Sequence, residues 1–323
     1  MTDAFVSTGH LAPTADVSRI IHATWAEANA DTGGANSAVY PALAAADPEQ
    51  FGLCVVGTDG RVFDCGDAYT GFSLMSVAKP FTFGLVCAAL GAERARAELG
   101  VNATGQAFNA VEPVLAASGG RTNPMVNAGA IATCSRVPGN GVDEQWTHLL
   151  AGLSAFAGRD LALDQELYEN VNGTNLRNRE ITAALAGQGA LASEPDDALE
   201  LYTRQSCLVV TAHDLAVMGA TLADGGVNPV TRVEVVPGDL CHYVLAVMAT
   251  AGMYEHSGDW LYDVGLPGKS GIGGGIVTVS PGKGGLGSFS PRLDAAGNSV
   301  RGVRAAARLA RELGLGLFAS RAE

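Results

Sequence analysis

Lysine is close to absent from this chain: Lys79, Lys269 and Lys283 stand against seventeen arginines. An arginine guanidinium stays protonated at any ordinary pH, whereas a buried lysine can be driven towards its neutral amine and then accept a proton. Two of the three lysines are kept in short motifs, Ser76-Val77-Ala78-Lys79 and Lys269-Ser270-Gly271, and that distribution hints at base chemistry. Positive charge is scarce overall, with 20 basic against 33 acidic residues and a formal net charge of −13. Such a balance repels nucleic acid and anionic membranes, so neither is expected as a partner. Long apolar runs are missing too. The stretches 81–91 and 243–251 fall short of the roughly 20 residues that a membrane span requires, and the N-terminus shows no basic segment leading into an apolar one. A cytoplasmic protein is expected.

The six cysteines, Cys54, Cys65, Cys87, Cys134, Cys207 and Cys241, form no Cys-x-x-Cys pair, which predicts buried free thiols and no disulfide. The six histidines never fall at His-Glu-x-x-His spacing or beside a cysteine cluster, so no metal site is expected. The lack of a Gly-x-Ser-x-Gly elbow argues against a Ser-His-Asp hydrolase.

What is present is a chain of 323 residues, 47% hydrophobic, enough to build a sizeable core in one large domain or two interleaved lobes. On a helix, Ser76 and Lys79 lie one turn apart on the same face, the geometry an amine needs to activate a serine nucleophile. An isolated Ser-x-x-Lys is more often an amphipathic helix with a solvated lysine. Residues 72–86, however, are otherwise too apolar for a solvated face, and a lysine buried there must be paired or neutral. Two glycine-rich segments mimic nucleotide sites. Gly268-Lys269-Ser270 looks like the end of a phosphate-binding loop, but Asp263 stands where that loop needs its first glycine. Gly282 to Gly287 matches Gly-x-Gly-x-x-Gly, yet Ser-Phe-Ser-Pro follows in place of a helix. These glycines read instead as letting backbones pass closely, at a strand edge around 271–275 and in a hairpin joining 275–281 to 284–290.

Helical periodicity runs over 15–30, and a hairpin signal, Thr58-Asp59-Gly60, separates strand-like 51–56 from 61–65. From Ser76 to about Gly258 the pattern is mainly helical; after Lys269 come glycine-bearing strands and a closing helix near 298–314. Strands at both ends with helices between them predict an α+β fold. An antiparallel sheet built from both chain ends, covered by terminal helices, forms one lobe (1–75 and 259–323), and an inserted all-helical lobe (76–258) completes one compact catalytic unit.

Further ordered segments accompany Leu74-Met-Ser-Val-Ala-Lys79: Asn123-Pro-Met-Val-Asn127-Ala-Gly-Ala-Ile131, Arg177-Asn178, Tyr202-Thr-Arg-Gln205, Leu222-Ala-Asp-Gly-Gly226-Val-Asn-Pro229, Gly252-Met-Tyr254, Val264-Gly-Leu-Pro-Gly-Lys-Ser-Gly271 and Ser290-Pro-Arg-Leu-Asp294. Together they resemble the serine-dependent glutaminases, relatives of the β-lactamases and penicillin-binding proteins, and the resemblance runs through most of the chain. It implies a serine β-lactamase-like fold and hydrolysis of L-glutamine to glutamate and ammonia without cofactor. Ser76 would attack the side-chain amide, with Lys79 as base, its pKa lowered by burial and by the charge of Lys269. The backbone N–H groups of Ser76 and Ile272 would form the oxyanion hole. Tyr254 would pass a proton to departing ammonia, its plain alternative being a packed aromatic with a satisfied hydroxyl. Asn127, Asn178 and Tyr202 would hold the substrate, and a homo-oligomer, dimer or tetramer, is implied.

At three substrate contacts the sequence departs from the family pattern: Met75, Val39 and Val171 occupy positions that usually carry polar or acidic groups, Val171 replacing the ammonium-binding glutamate. A slip of one or two residues would let Tyr40 and Glu169 take over. Three classes therefore stay open: a glutaminase, a Ser-Lys amidohydrolase or acyltransferase for a less polar amide, and a non-catalytic binding relative. A penicillin-directed enzyme is a weaker fourth.

Overall fold

The computed structural model describes residues 9–320; residues 1–8 and 321–323, the outermost parts of the lobe built from the chain ends, lie outside the described residues. Eight strands are present among the described residues: β1 (Gly52–Gly57), β2 (Val62–Gly66), β3 (Phe72–Ser73), β4 (Ala162–Leu163), β5 (Leu208–Val210), β6 (Gly268–Ser270), β7 (Gly275–Ser280) and β8 (Gly284–Phe289). Five form an antiparallel sheet in the order β2-β1-β8-β7-β6, so the two ends of the chain meet where Gly52 pairs with Phe289 and Gly57 with Gly284. Both hairpins turn at glycines in the left-handed region, Gly60 (φ 80°) and Gly282 (φ 73°). The Gly-x-Gly-x-x-Gly look-alike is thus a β-turn and the strand that follows it.

Strand alternation assigns the two faces of the sheet. Leu53 and Val55 of β1 join a core with Val17, Ile20 and Ile21 of the helix Thr14–Asn29 and with Leu309 and Leu313 at the last helix, Val300–Glu312. Cys54 and Val56 face the other way, against Ala216, Val217 and Ala220 of the helix Ala212–Ala223. That helix comes from the middle of the chain yet lies on the sheet. It can do so because β8 is nearly bare: a Cβ on Gly285 would stand 2.2 Å from Ala220 N, and one on Gly287 2.0 Å from Ala212 O.

The larger core surrounds the helix Ala78–Leu90, whose residues from Ala78 to Cys87 are all buried. The middle of the chain is mainly helical, as its pattern predicts, but β4 and β5 interrupt it and pair with β3 in the order β3-β5-β4. Strands of two and three residues are too short to show a period of two. Their role is positional. Leu74 N–H donates to Leu208 O at 2.9 Å, which pins the chain immediately before Ser76. No single helix among the described residues is long and apolar enough to cross a membrane.

Candidate active site

After β3 the backbone turns sharply. Met75 adopts φ 47°, a left-handed conformation that costs a non-glycine residue on the order of 1–3 kcal/mol and must be held by its surroundings. One 3-10 turn, Met75–Val77, then feeds the helix Ala78–Leu90. The sequence places Ser76 within a helix; the structure places it on the turn just before one. Unpaired N–H groups and the positive end of the helix dipole collect there. Ser76 borders a cavity of about 140 Å³.

Lys79, in the first helical turn, is buried, and its Nζ donates to Asn127 Oδ1 at 2.7 Å. Loss of hydration lowers its pKa from 10.5 to about 7. The charge of Lys269, expected to share in this, is not the cause; the shift comes from burial. Lys269 itself, on β6, is pushed well below its ordinary value, first by burial and then by the charge of Lys79. Its Nζ donates to Gly252 O at 2.9 Å and Ser270 O at 2.7 Å and stands 4.4 Å from the centre of the Tyr254 ring.

Tyr254 is a second strained residue, at φ 55°, and is buried. Its hydroxyl donates to Ser270 O at 3.1 Å. Burial raises its pKa above the usual phenol range, while interactions with the Ser76 side chain and the Ile272 backbone N–H pull the other way. The phenol therefore keeps its proton at neutral pH and has one to give. Gly271 lets the end of β6 run against the Met75–Val77 turn, since a Cβ there would stand 3.2 Å from Leu74 O and 3.4 Å from Ser76 N. This approach delivers Ile272 to the cavity wall.

The structure also brings Asn127, Asn178 and Tyr202 to the cavity, together with Met75, Val171, Tyr40 and Val39. Tyr40, Met75 and Val171 belong to one apolar cluster with Leu43, Leu167 and Cys207, and Val39 is an exposed residue of the rim. Glu169 is the exception. It is exposed, accepts from Gln165 Nε2 at 2.9 Å, and does not line the cavity. Both lie on the helix Gln165–Thr174, where a residue two positions away lies near the opposite side of the circumference, so Val171 pointing inward turns Glu169 outward. The slip that would let Glu169 replace Val171 is overturned, whereas Tyr40 does reach the cavity.

Sequence reasoning missed Phe108, Asn109, Asn175 and Thr203 as lining residues. Phe108 packs on Tyr254 with ring centres 4.5 Å apart, and Asn109 O accepts from Arg177 Nε at 2.9 Å. Both stand in an irregular segment with no periodic signal. Asn175 had a signal that was legible, namely its spacing of one turn before Asn178. Among the described residues no group of three or more His, Cys, Asp or Glu is arranged to hold a metal ion.

The family model for glutaminase matches residues 34–318. Glutaminase 2 of Yersinia pestis is 58% identical over 316 residues, covering 98% of this chain and 93% of that protein. A glutaminase of Brucella canis is 45% identical, covering 90% and 92%. Among solved structures, the probable glutaminase ybaS superposes with a TM-score of 0.94 at 37% identity, covering 96% of this chain and all of that one. The glutamate form of Mglu gives 0.88 at 36%, covering 93% and 68%. The chain therefore belongs to the glutaminase family, amidohydrolases that convert glutamine to glutamate.

Proposed function

We propose that the protein hydrolyses L-glutamine to L-glutamate and ammonia through an acyl-enzyme on Ser76. The observation that carries this reading is a buried lysine three residues after a serine that opens on the cavity, burial pushing the amine down to about 7. The neutral Lys79 amine takes the Ser76 hydroxyl proton as Oγ bonds to the amide carbon, and the carbonyl oxygen gathers negative charge. The backbone N–H groups of Ser76 and Ile272 would receive it, each such donor being worth about 3 kcal/mol. Collapse breaks the C–N bond, with Tyr254 as the donor of the proton that leaves on ammonia. Water then attacks the ester by the same route in reverse roles, releasing glutamate and restoring Ser76.

Asn127, Asn178 and Tyr202 would orient the substrate. The α/β lobe and the helical lobe act as one catalytic unit, since Val39, Tyr40 and Ile272 from one and Asn127, Asn178 and Tyr202 from the other border the same cavity. A second reading rests on the apolar cluster of Tyr40, Met75 and Val171: a wall of this kind favours an amide without a free ammonium. A cytoplasmic location agrees with the acidic balance of the chain, and a homo-oligomer with the exposed Tyr262 and Phe318. The test is ammonia release over a panel of glutamine, asparagine, N-blocked glutamine and short acyl amides, with peptide mass mapping after an electrophilic glutamine analogue. Modification of Ser76 and a preference for glutamine are expected; an unmodified Ser76 in inactivated protein would refute the acyl-enzyme.

A further inference from the structure

An unbroken line of hydrogen bonds leads away from Lys79. Its Nζ donates to Asn127 Oδ1 (2.7 Å), Asn127 Nδ2 to Asn178 Oδ1 (2.9 Å), Asn178 Nδ2 to Asn175 Oδ1 (2.6 Å), Asn175 Nδ2 to Thr203 Oγ1 (3.1 Å), and Thr203 Oγ1 to Leu199 O (2.8 Å). Every donor points away from the lysine, and every amide carbonyl points towards it. Asparagine amides are isosteric end for end, so nothing in an asparagine's own shape fixes which atom faces Lys79. The direction must be set at one end of the line.

A neutral amine does not set it, because an amine nitrogen accepts as readily as it donates. Thr203 does. Its single hydroxyl proton is used on Leu199 O, one helical turn back, which leaves the oxygen free to accept. Asn175 must then offer Nδ2, Asn178 must offer Nδ2 to Asn175, and Asn127 is left presenting Oδ1 to the lysine.

We propose that Thr203 and Asn175 are positioning residues that hold the Asn127 carbonyl against Lys79, so that the lone pair of the neutral amine is left for the Ser76 hydroxyl. This rests on the acyl-enzyme reading for its chemistry, but the line of hydrogen bonds is independent of it. Reversed, Asn127 would donate Nδ2 to the amine nitrogen and occupy the lone pair that catalysis needs. The same polarity leaves the second N–H of Asn127 and of Asn178 unspent beside the cavity, where a substrate oxygen can accept them. Other groups facing Lys79 are Tyr202, with its ring centre 5.8 Å from Nζ, the buried Cys134 thiol, and Lys269, whose Nζ is engaged by Gly252 O and Ser270 O and whose pKa burial pushes down.

The test uses the scarcity of lysine. With three lysines in the chain, NMR of protein labelled at lysine Nζ and Cε gives three resonances, of which those of Lys79 are assigned by Lys79→Met. Thr203→Val keeps the shape of the side chain and removes the hydroxyl, so both directions of the line become comparable. The variant is expected to lower the Lys79 titration midpoint by about half a pH unit or more, because a donor facing the nitrogen favours the neutral form. Its kcat at the alkaline plateau should fall at least about tenfold, and Thr203→Ser should restore both. Thr203→Ala carries the same test should the valine variant not fold. A fall in kcat with an unmoved Lys79 midpoint would overturn the proposal, leaving Thr203 a packing residue. A moved midpoint in protein whose Ser76 takes no covalent label would uphold the line and sink the acyl-enzyme reading.

Discussion

Replacing Lys79 by methionine should destroy activity and strengthen the fold. Holding this amine near 7 instead of its ordinary 10.5 corresponds to about 5 kcal/mol against its charged form. An unfolded chain returns the lysine to water, where it is fully protonated at pH 7, so most of that cost falls on the native state. Methionine fills a similar volume with no charge to desolvate. It leaves Asn127 Oδ1 without its donor, a loss of about 1–3 kcal/mol, and the balance is a gain of roughly 2 kcal/mol at pH 7. The pH dependence has a definite sign. Between 7 and 10.5 the unfolded chain binds more protons at this site than the folded one, so the stability of the wild type climbs with pH and the variant lacks that contribution. Urea unfolding at pH 7 and pH 9.5 reads both effects, with the variant ahead at pH 7 and its advantage shrinking at pH 9.5. A Lys79→Met protein less stable than wild type at pH 7, or one whose difference from wild type ignores pH, would refute a buried lysine held near neutrality.

The same lysine sets the acid side of catalysis: kcat/KM should fall roughly tenfold for each pH unit below 7, since protonated amine cannot take the Ser76 proton, and a profile flat down to pH 5 would assign the base elsewhere. Ser76→Ala and Lys79→Ala should each cost several orders of magnitude in kcat, with the double variant little worse than either, because the pair acts as a unit; multiplying losses would show two independent roles. Val171→Glu should lower KM for glutamine by placing a carboxylate among Tyr40, Met75 and Leu167, with kcat little changed, because the ammonium is held equally in ground and transition states. The same variant should unfold more easily with the cavity empty. An unchanged KM would place the substrate ammonium away from Val171.

The sequence by itself determined the family and the plan of the sheet. Three lysines standing against seventeen arginines, with Ser76 one turn before Lys79 in an apolar stretch, marked the groups proposed to react, because burying an amine is costly enough that few positions carry one. Turn residues at Gly60 and Gly282 fixed two hairpins locally, and the apolar pattern of the first and last helices fixed which face they cover. Tertiary structure decided what depends on contacts distant in sequence. The helix Ala212–Ala223 lies on the sheet because Gly285 and Gly287 permit it, a complementarity between segments that neither shows alone. Strands of two or three residues exist only because partners complete them, and the left-handed Met75 and Tyr254 are held where local preference alone would not put them. Glu169 and Val171 are two residues apart in sequence, and the sequence favoured Val171 at the cavity, with Glu169 reaching it only through a slip in register. Packing of that helix against Tyr40 and Met75 turned the valine inward and the carboxylate to water, where its charge keeps its hydration.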